Sequence, residues 1–162
     1  MALSKSEFVE FLQHNQNNPD KILQSIEKLG EYLTSRATAC YLRGALESAQ
    51  ISLELIKDQE GFNLLHAACF RGSVKTVATL LELSRHPSDY IQSKDNKKRC
   101  PLHYATIHGR IDVIKKLLEF AQSVDILNLV LKARDANQQN ALDIALSHDE
   151  PSVWLVFHQS KY

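Results

Sequence analysis

The sequence predicts an all-α solenoid of stacked helix pairs with a helical N-terminal cap, on two observations. One is a unit written more than once. Cys100-Pro101-Leu102-His103-Tyr104-Ala105 is followed by Gly109 and then by Ile111, Val113, Ile114, Leu117 and Leu118, so apolar residues recur at helical spacing on both sides of a glycine. Upstream the same unit reads Asn63-Leu64-Leu65-His66-Ala67-Ala68, Gly72, then Val74, Val77, Leu80 and Leu81; downstream a worn copy reads Asn140-Ala141-Leu142-Asp143-Ile144-Ala145. The second observation is the register. Asp58, Asp95 and Asp135 each stand eight residues before His66, His103 and Asp143, which sets the copies 37 and 40 residues apart. Self-similarity at such a period is the mark of a repeat architecture.

This pattern resembles the ankyrin repeat, whose signature is Thr-Pro-Leu-His-x-Ala, then Gly, then a Val-Val-x-Leu-Leu helix, in units of about 33 residues. The resemblance covers roughly residues 58 to 158, and Cys100-Pro101-Leu102-His103 lacks only the threonine. Physical chemistry supports each position. Pro101 suits a helix start, where its missing N–H would be an orphan and its φ is already set. Leu65, Leu102 and Leu142 are placed to face the next unit, and Ala68 and Ala105 are small enough for close helix approach. Gly72 and Gly109 can take the positive φ that ends a first helix. The resemblance implies that the imidazoles of His66 and His103 tie together the turns of neighbouring repeats, a structural and not a catalytic role.

The units are expected at 58–94, 95–134 and 135–162, in one continuous domain with a helical cap or degenerate repeats over 1–57. The turn glycine of the family is kept as Gly61 but replaced by Lys98 and Gln138. Asp149 stands where the third unit should have its glycine, with Pro151 after it, so this unit reads as a C-terminal cap closed by Val153, Trp154, Val156 and Phe157.

Ahead of the repeats, Ser4 and Glu7 have capping-box spacing before Phe8, Val9, Phe11 and Leu12. Asn18-Pro19 is a helix start, and the stripe Ile22, Leu23, Ile26, Leu29 is expected to stop at Gly30. A third helix is expected from Tyr32 to Leu42, ending near Gly44, and a fourth from Leu46 to Ile56. Between repeats, Leu83 to Lys94 reads as a long loop, and Val124 to Leu131 as an added buried helical turn.

At 162 residues, with 44% hydrophobic and 23% charged residues, the composition is that of one soluble globular domain. Nineteen basic and nineteen acidic residues balance, so no global field selects nucleic acid or an anionic membrane. No apolar run approaches the length of a membrane span, and the N-terminal residues lack the architecture of a signal peptide. Three scattered cysteines point to free thiols in a reducing compartment, so the cytoplasm is expected, or the host cytosol if the chain is a secreted effector.

Cys100 and His103 have a Cys-x-x-His spacing, but a closed zinc site needs four ligands and no second pair lies at a plausible distance. No metal, no cofactor and no catalytic residue is expected. Lys94, Lys97, Lys98 and Arg99 form a basic run, read as a solvated turn tip, with a rim for an acidic partner and a nuclear-import or nucleic-acid patch as the alternatives; four charges are too few to favour nucleic acid. In the family, partners are gripped by turn tips and by the exposed side of each first helix, on the concave face. The resemblance therefore nominates Phe62, Phe70 and Arg71 in the first repeat and Lys97, Arg99, Ile107 and His108 in the second. Fold does not demand apolar side chains at Phe62, Phe70 and Ile107, and aromatic anchors beside arginine and lysine have the composition of an interface. The expectation is a monomeric, non-enzymatic module that binds a protein partner, as adaptor or inhibitor. The rival readings are a bacterial effector acting on a host protein and a small enzyme with an unrecognised site.

Overall fold

The computed structural model describes residues 4–159; the first three and last three residues, which the sequence analysis counts into the cap and the last repeat, lie outside the described residues. Among the described residues there are eleven α-helices, one 3-10 turn and no strand.

Helix α1 (Lys5–His14) opens on the expected capping box: Glu7 N–H donates to Ser4 Oγ at 3.2 Å and Ser4 N–H to Glu7 Oε2 at 3.1 Å. Helix α2 (Pro19–Tyr32) starts at Pro19, with Asn18 Oδ1 accepting from Lys21 N–H. It does not stop at Gly30. One glycine costs a helix about 1 kcal/mol, less than the buried stripe Ile22, Leu23 and Ile26 supplies. Helix α3 (Ser35–Ala49) corrects a second expectation. Instead of two helices meeting near Gly44 there is one, because Thr38, Ala39, Leu42, Ala45, Leu46 and Ala49 continue a single buried stripe through the glycine. Gln50, at φ 58°, ends it in the left-handed conformation, and a 3-10 turn (Leu53–Leu55) leads to the first repeat.

The repeats follow as α4 (Leu64–Arg71) and α5 (Val74–Leu83), α7 (Pro101–Ile107) and α8 (Ile111–Ser123), and α10 (Ala141–Leu146) and α11 (Pro151–Gln159). Gly72 at φ 80° and Gly109 at φ 63° end the first helices of the first two pairs, as expected. At Gly72 the space is also closed, since a Cβ would stand 2.7 Å from Arg110 Cδ. The stretch expected as a loop between the first two pairs contains a short helix, α6 (Pro87–Ile91), which buries Tyr90 and Ile91. Between the next two, α9 (Leu127–Lys132) buries Val130.

Helices α2, α4, α7 and α10 lie side by side in one row, and α3, α5, α8 and α11 in a second; α1 packs on α3. The pair α2/α3 thus takes the first place in both rows. The core runs continuously between the rows, through Leu42, Leu65, Leu80, Leu102, Ile114 and Leu117 to Val153, Val156 and Phe157. A fully buried leucine such as Leu65 or Leu102 stabilises the stack by about 1.5–3 kcal/mol. Of the four residues expected to close the last repeat, Trp154 is only half-buried and stacks on His158 with ring centroids 5.0 Å apart.

Candidate protein-binding face

The face is built from the turns that precede α4, α7 and α10. Each turn is folded by its aspartate in the same way. Asp58 Oδ1 accepts from the N–H groups of Glu60 and Phe62 at 2.9 and 3.0 Å. Asp95 Oδ1 does so for Lys97 and Arg99, and Asp135 Oδ1 for Asn137 and Gln139, at the same pair of distances. A short side chain that caps backbone two and four residues on is what aspartate contributes to turns. At the turn's sharpest point Gly61 has φ 77°, and Lys98 and Gln138 adopt the same left-handed conformation at 58° and 62° despite their side chains.

Successive turns are bonded to one another. Asn96 N–H donates to Glu60 C=O at 2.8 Å, and Ala136 N–H to Lys97 C=O at 2.9 Å. The histidines add a second tie. His66 Nδ1 accepts from Asn63 N–H at 3.1 Å, so its proton is on Nε2, which donates to Arg99 C=O at 2.9 Å. His103 repeats this, accepting from Cys100 N–H at 3.0 Å and donating to Gln139 C=O at 3.1 Å. Burial is the largest influence on both imidazoles and holds them below the ordinary histidine range, against the pull of those carbonyls. In the third unit Asp143 stands at this position. Its Oδ2 accepts from Asn140 N–H at 3.1 Å and lies 3.6 Å from Arg134 Nη1.

On this frame an aromatic strip crosses from the first repeat to the second. Phe62 meets Tyr104 edge-on at 5.1 Å between centroids, stacks with His66 at 5.6 Å and meets the edge of Phe70 at 6.3 Å. Phe70 in turn packs on His108 at 4.2 Å. Phe62 is half-buried, whereas Phe70 keeps 44% of its surface exposed. The Arg99 guanidinium lies over the Tyr104 ring, 5.7 Å from its centroid, while its Nε is 3.7 Å from the buried Asp135 Oδ2. The Tyr104 hydroxyl donates to Asp95 Oδ2. Burial and then that carboxylate push the Tyr104 phenol well above the ordinary tyrosine range.

The structure therefore brings together Phe62, Phe70, Arg99 and His108. Ile107 is half-buried at the end of α7, and Lys97 is exposed on the turn tip. Arg71 points elsewhere: its Nε and Nη2 donate to the two carboxylate oxygens of Glu27 in α2 at 2.8 and 3.0 Å, with Asp20 3.7 Å away. The His108 imidazole is held low by partial burial and then by Arg110 and Arg99. Sequence reasoning missed Tyr104, the buried ring that joins Phe62 to Arg99; its place directly after Leu102-His103 in a first helix was the available signal. It also missed Arg110, whose Nε donates to Phe70 C=O at 3.1 Å and which walls a cleft of about 520 Å³ beside Phe70.

The Cys100–His103 pair is not a nucleophile and its base. Sγ lies 3.0 Å from Nδ1, but that nitrogen already accepts from a backbone N–H, Nε2 is committed to Gln139, and burial pushes the thiol upward. Among the described residues no cluster of three or more histidine, cysteine or acidic side chains could hold a metal, and no helix is long and apolar enough to cross a membrane.

The sequence profile of a family described as Ankyrin repeats (3 copies) matches residues 37–128. Among curated proteins, the serine/threonine-protein kinase VIK of Arabidopsis thaliana is 33% identical over 77 residues, 44% of this chain and 18% of the kinase. The human transient receptor potential cation channel subfamily A member 1 is 34% identical over 76 residues, 47% of this chain and 6% of the channel. The mouse B-cell lymphoma 3 protein homolog is 28% identical over 105 residues, 65% of this chain and 22% of the relative. The chain thus spans less than a quarter of the length of these relatives.

Proposed function

Because the chain belongs to the ankyrin-repeat family, a fold that serves as a non-catalytic protein-interaction scaffold, we propose that it holds a partner protein on the face lined by Phe62, Phe70, Arg99 and His108, as an adaptor or an inhibitor. One observation carries this reading: Phe70 is a large, exposed aromatic side chain held in place between Phe62 and His108. A ring fixed before binding loses little conformational freedom on contact, and such preorganised aromatic anchors dominate interface energetics. Lys97 at the turn tip and Ile107 at the end of α7 extend the face, and Arg71, turned to Glu27, borders it on the α2 side. The module acts as a monomer in the reducing cytoplasm, where Cys40, Cys69 and Cys100 stay thiols.

The test is an affinity pull-down from cell lysate with the wild-type chain beside Phe70→Glu, the variant first shown by circular dichroism to keep its helices. A protein retained by the wild type and lost by the variant is the expected result. Equal retention by both would move the site off this face.

A further inference from the structure

We propose that the segment bound on this face is an acidic peptide carrying one aromatic or branched apolar side chain, which seats on Phe70 beside His108 while its carboxylates meet Lys97, Lys98 and Arg110. The inference rests on the reading of this face as the binding face and adds the chemistry of the partner.

The argument is one of charge left over once the fold has used what it needs. Each of the three turn aspartates has its Oδ1 occupied by two backbone N–H groups, and Asp95 and Asp135 are buried. The second oxygen of Asp95 takes the Tyr104 hydroxyl, and that of Asp135 is buried beside Arg99. The second and third turns thus spend their negative charge internally. Lys97 and Lys98 remain exposed at the tip of the second turn, and Arg110 is exposed at the cleft beside Phe70. The opposing carboxylates are Glu60 and the half-buried Asp58 on the first turn, and Glu27 and Glu31 across the cleft. Glu27 is already engaged by Arg71. An acidic segment therefore meets complementary charge on the Lys97 side of Phe70, where a basic one is repelled.

The apolar part of the ligand follows from the rings. Phe62, Tyr104 and His66 are packed against one another, which leaves Phe70 to offer open ring surface. One seat suits one side chain of a peptide, whereas single-stranded nucleic acid is held by successive stacked bases.

The experiment selects phage-displayed random peptides of about a dozen residues, the scale of groove-binding segments, on the full chain, and tests the enriched peptides on Phe70→Glu and on Lys97→Glu/Lys98→Glu. Expected are peptides rich in aspartate and glutamate around one aromatic or branched apolar residue, lost by Phe70→Glu. Their binding should fall about tenfold or more on the double charge reversal, and also on raising salt from about 0.05 to about 0.5 M. Peptides that need Phe70 but are neutral or basic would overturn the acidic assignment and leave the binding face standing. Peptides indifferent to Phe70, or no enrichment at all, would overturn the face and the assignment together. Displacement of the selected peptides by a short oligothymidylate would show that the cations serve nucleic acid, which also overturns it.

Discussion

His66 and Arg99 are joined across a repeat boundary: the buried imidazole Nε2 of the first donates to the backbone carbonyl of the second at 2.9 Å. The tie exists only for the neutral ring, because Nδ1 must accept from Asn63 N–H while Nε2 donates. Both His66 and His103 have pKa values depressed in the fold. The unfolded chain therefore takes up protons first, near the ordinary histidine value of about 6.5. Their stabilisation is complete above that value and is lost as pH falls below it toward the depressed folded values. Urea midpoints should drop between neutral and mildly acid pH, and His66→Ala/His103→Ala should flatten that dependence while losing about 2–4 kcal/mol at neutral pH from unsatisfied buried groups. An unchanged pH profile in the variant would contradict the assigned tautomers.

Gln138 holds φ 62° at an exposed turn position. Left-handed backbone costs a residue with a Cβ about 1–2 kcal/mol, and glycine's greater freedom in the unfolded chain returns part of the gain. Gln138→Gly should raise stability by about 0.5–1 kcal/mol, read as a higher melting temperature. Gly72→Ala should do the reverse, and more strongly, because φ 80° and the Arg110 side chain both stand against a Cβ.

Leu102 and Phe70 should separate packing from binding. Leu102 is fully buried, so Leu102→Ala should cost about 2–5 kcal/mol in denaturant unfolding. Phe70→Glu, at a site 44% exposed, should cost less than about 1 kcal/mol. A large loss at Phe70 would make it a core residue.

Tyr104→Phe removes the hydroxyl that satisfies buried Asp95 Oδ2 and keeps the ring against Phe62. A loss of about 1–3 kcal/mol is expected, the cost of an unpaired buried acceptor, with little change in binding. Thermal unfolding and peptide titration on the same variant check the two halves.

How much of this was legible follows from the range of each signal. The repeat, the helix-ending glycines Gly72 and Gly109 and the histidine positions could be read because the chain states them more than once in register. The single helix through Gly44 was masked by weighing one glycine above a stripe, Thr38 to Ala49, whose small residues look weakly apolar one at a time. Helix α6 escaped because five residues carry too little periodicity to announce a helix; the buried Tyr90 and Ile91 are what hold it. Within the face, Phe70 was nominated by position, yet the pairing of Arg71 with Glu27 joins residues 44 apart, and nothing local in the sequence encodes it.

The histidine ties all run one way, from a donor in the earlier unit to an acceptor in the later one. That gives the stack a polarity. Cutting away a later unit takes the acceptor from a histidine N–H in the unit before it, whereas cutting away an earlier unit takes the acceptor from a backbone N–H, that of Asn96 or Ala136, at an exposed turn tip that water already reaches. Shortening the array from its two ends is therefore not equivalent. A fragment that begins late keeps its turns in order, and a fragment that stops early carries a defect in its last remaining turn.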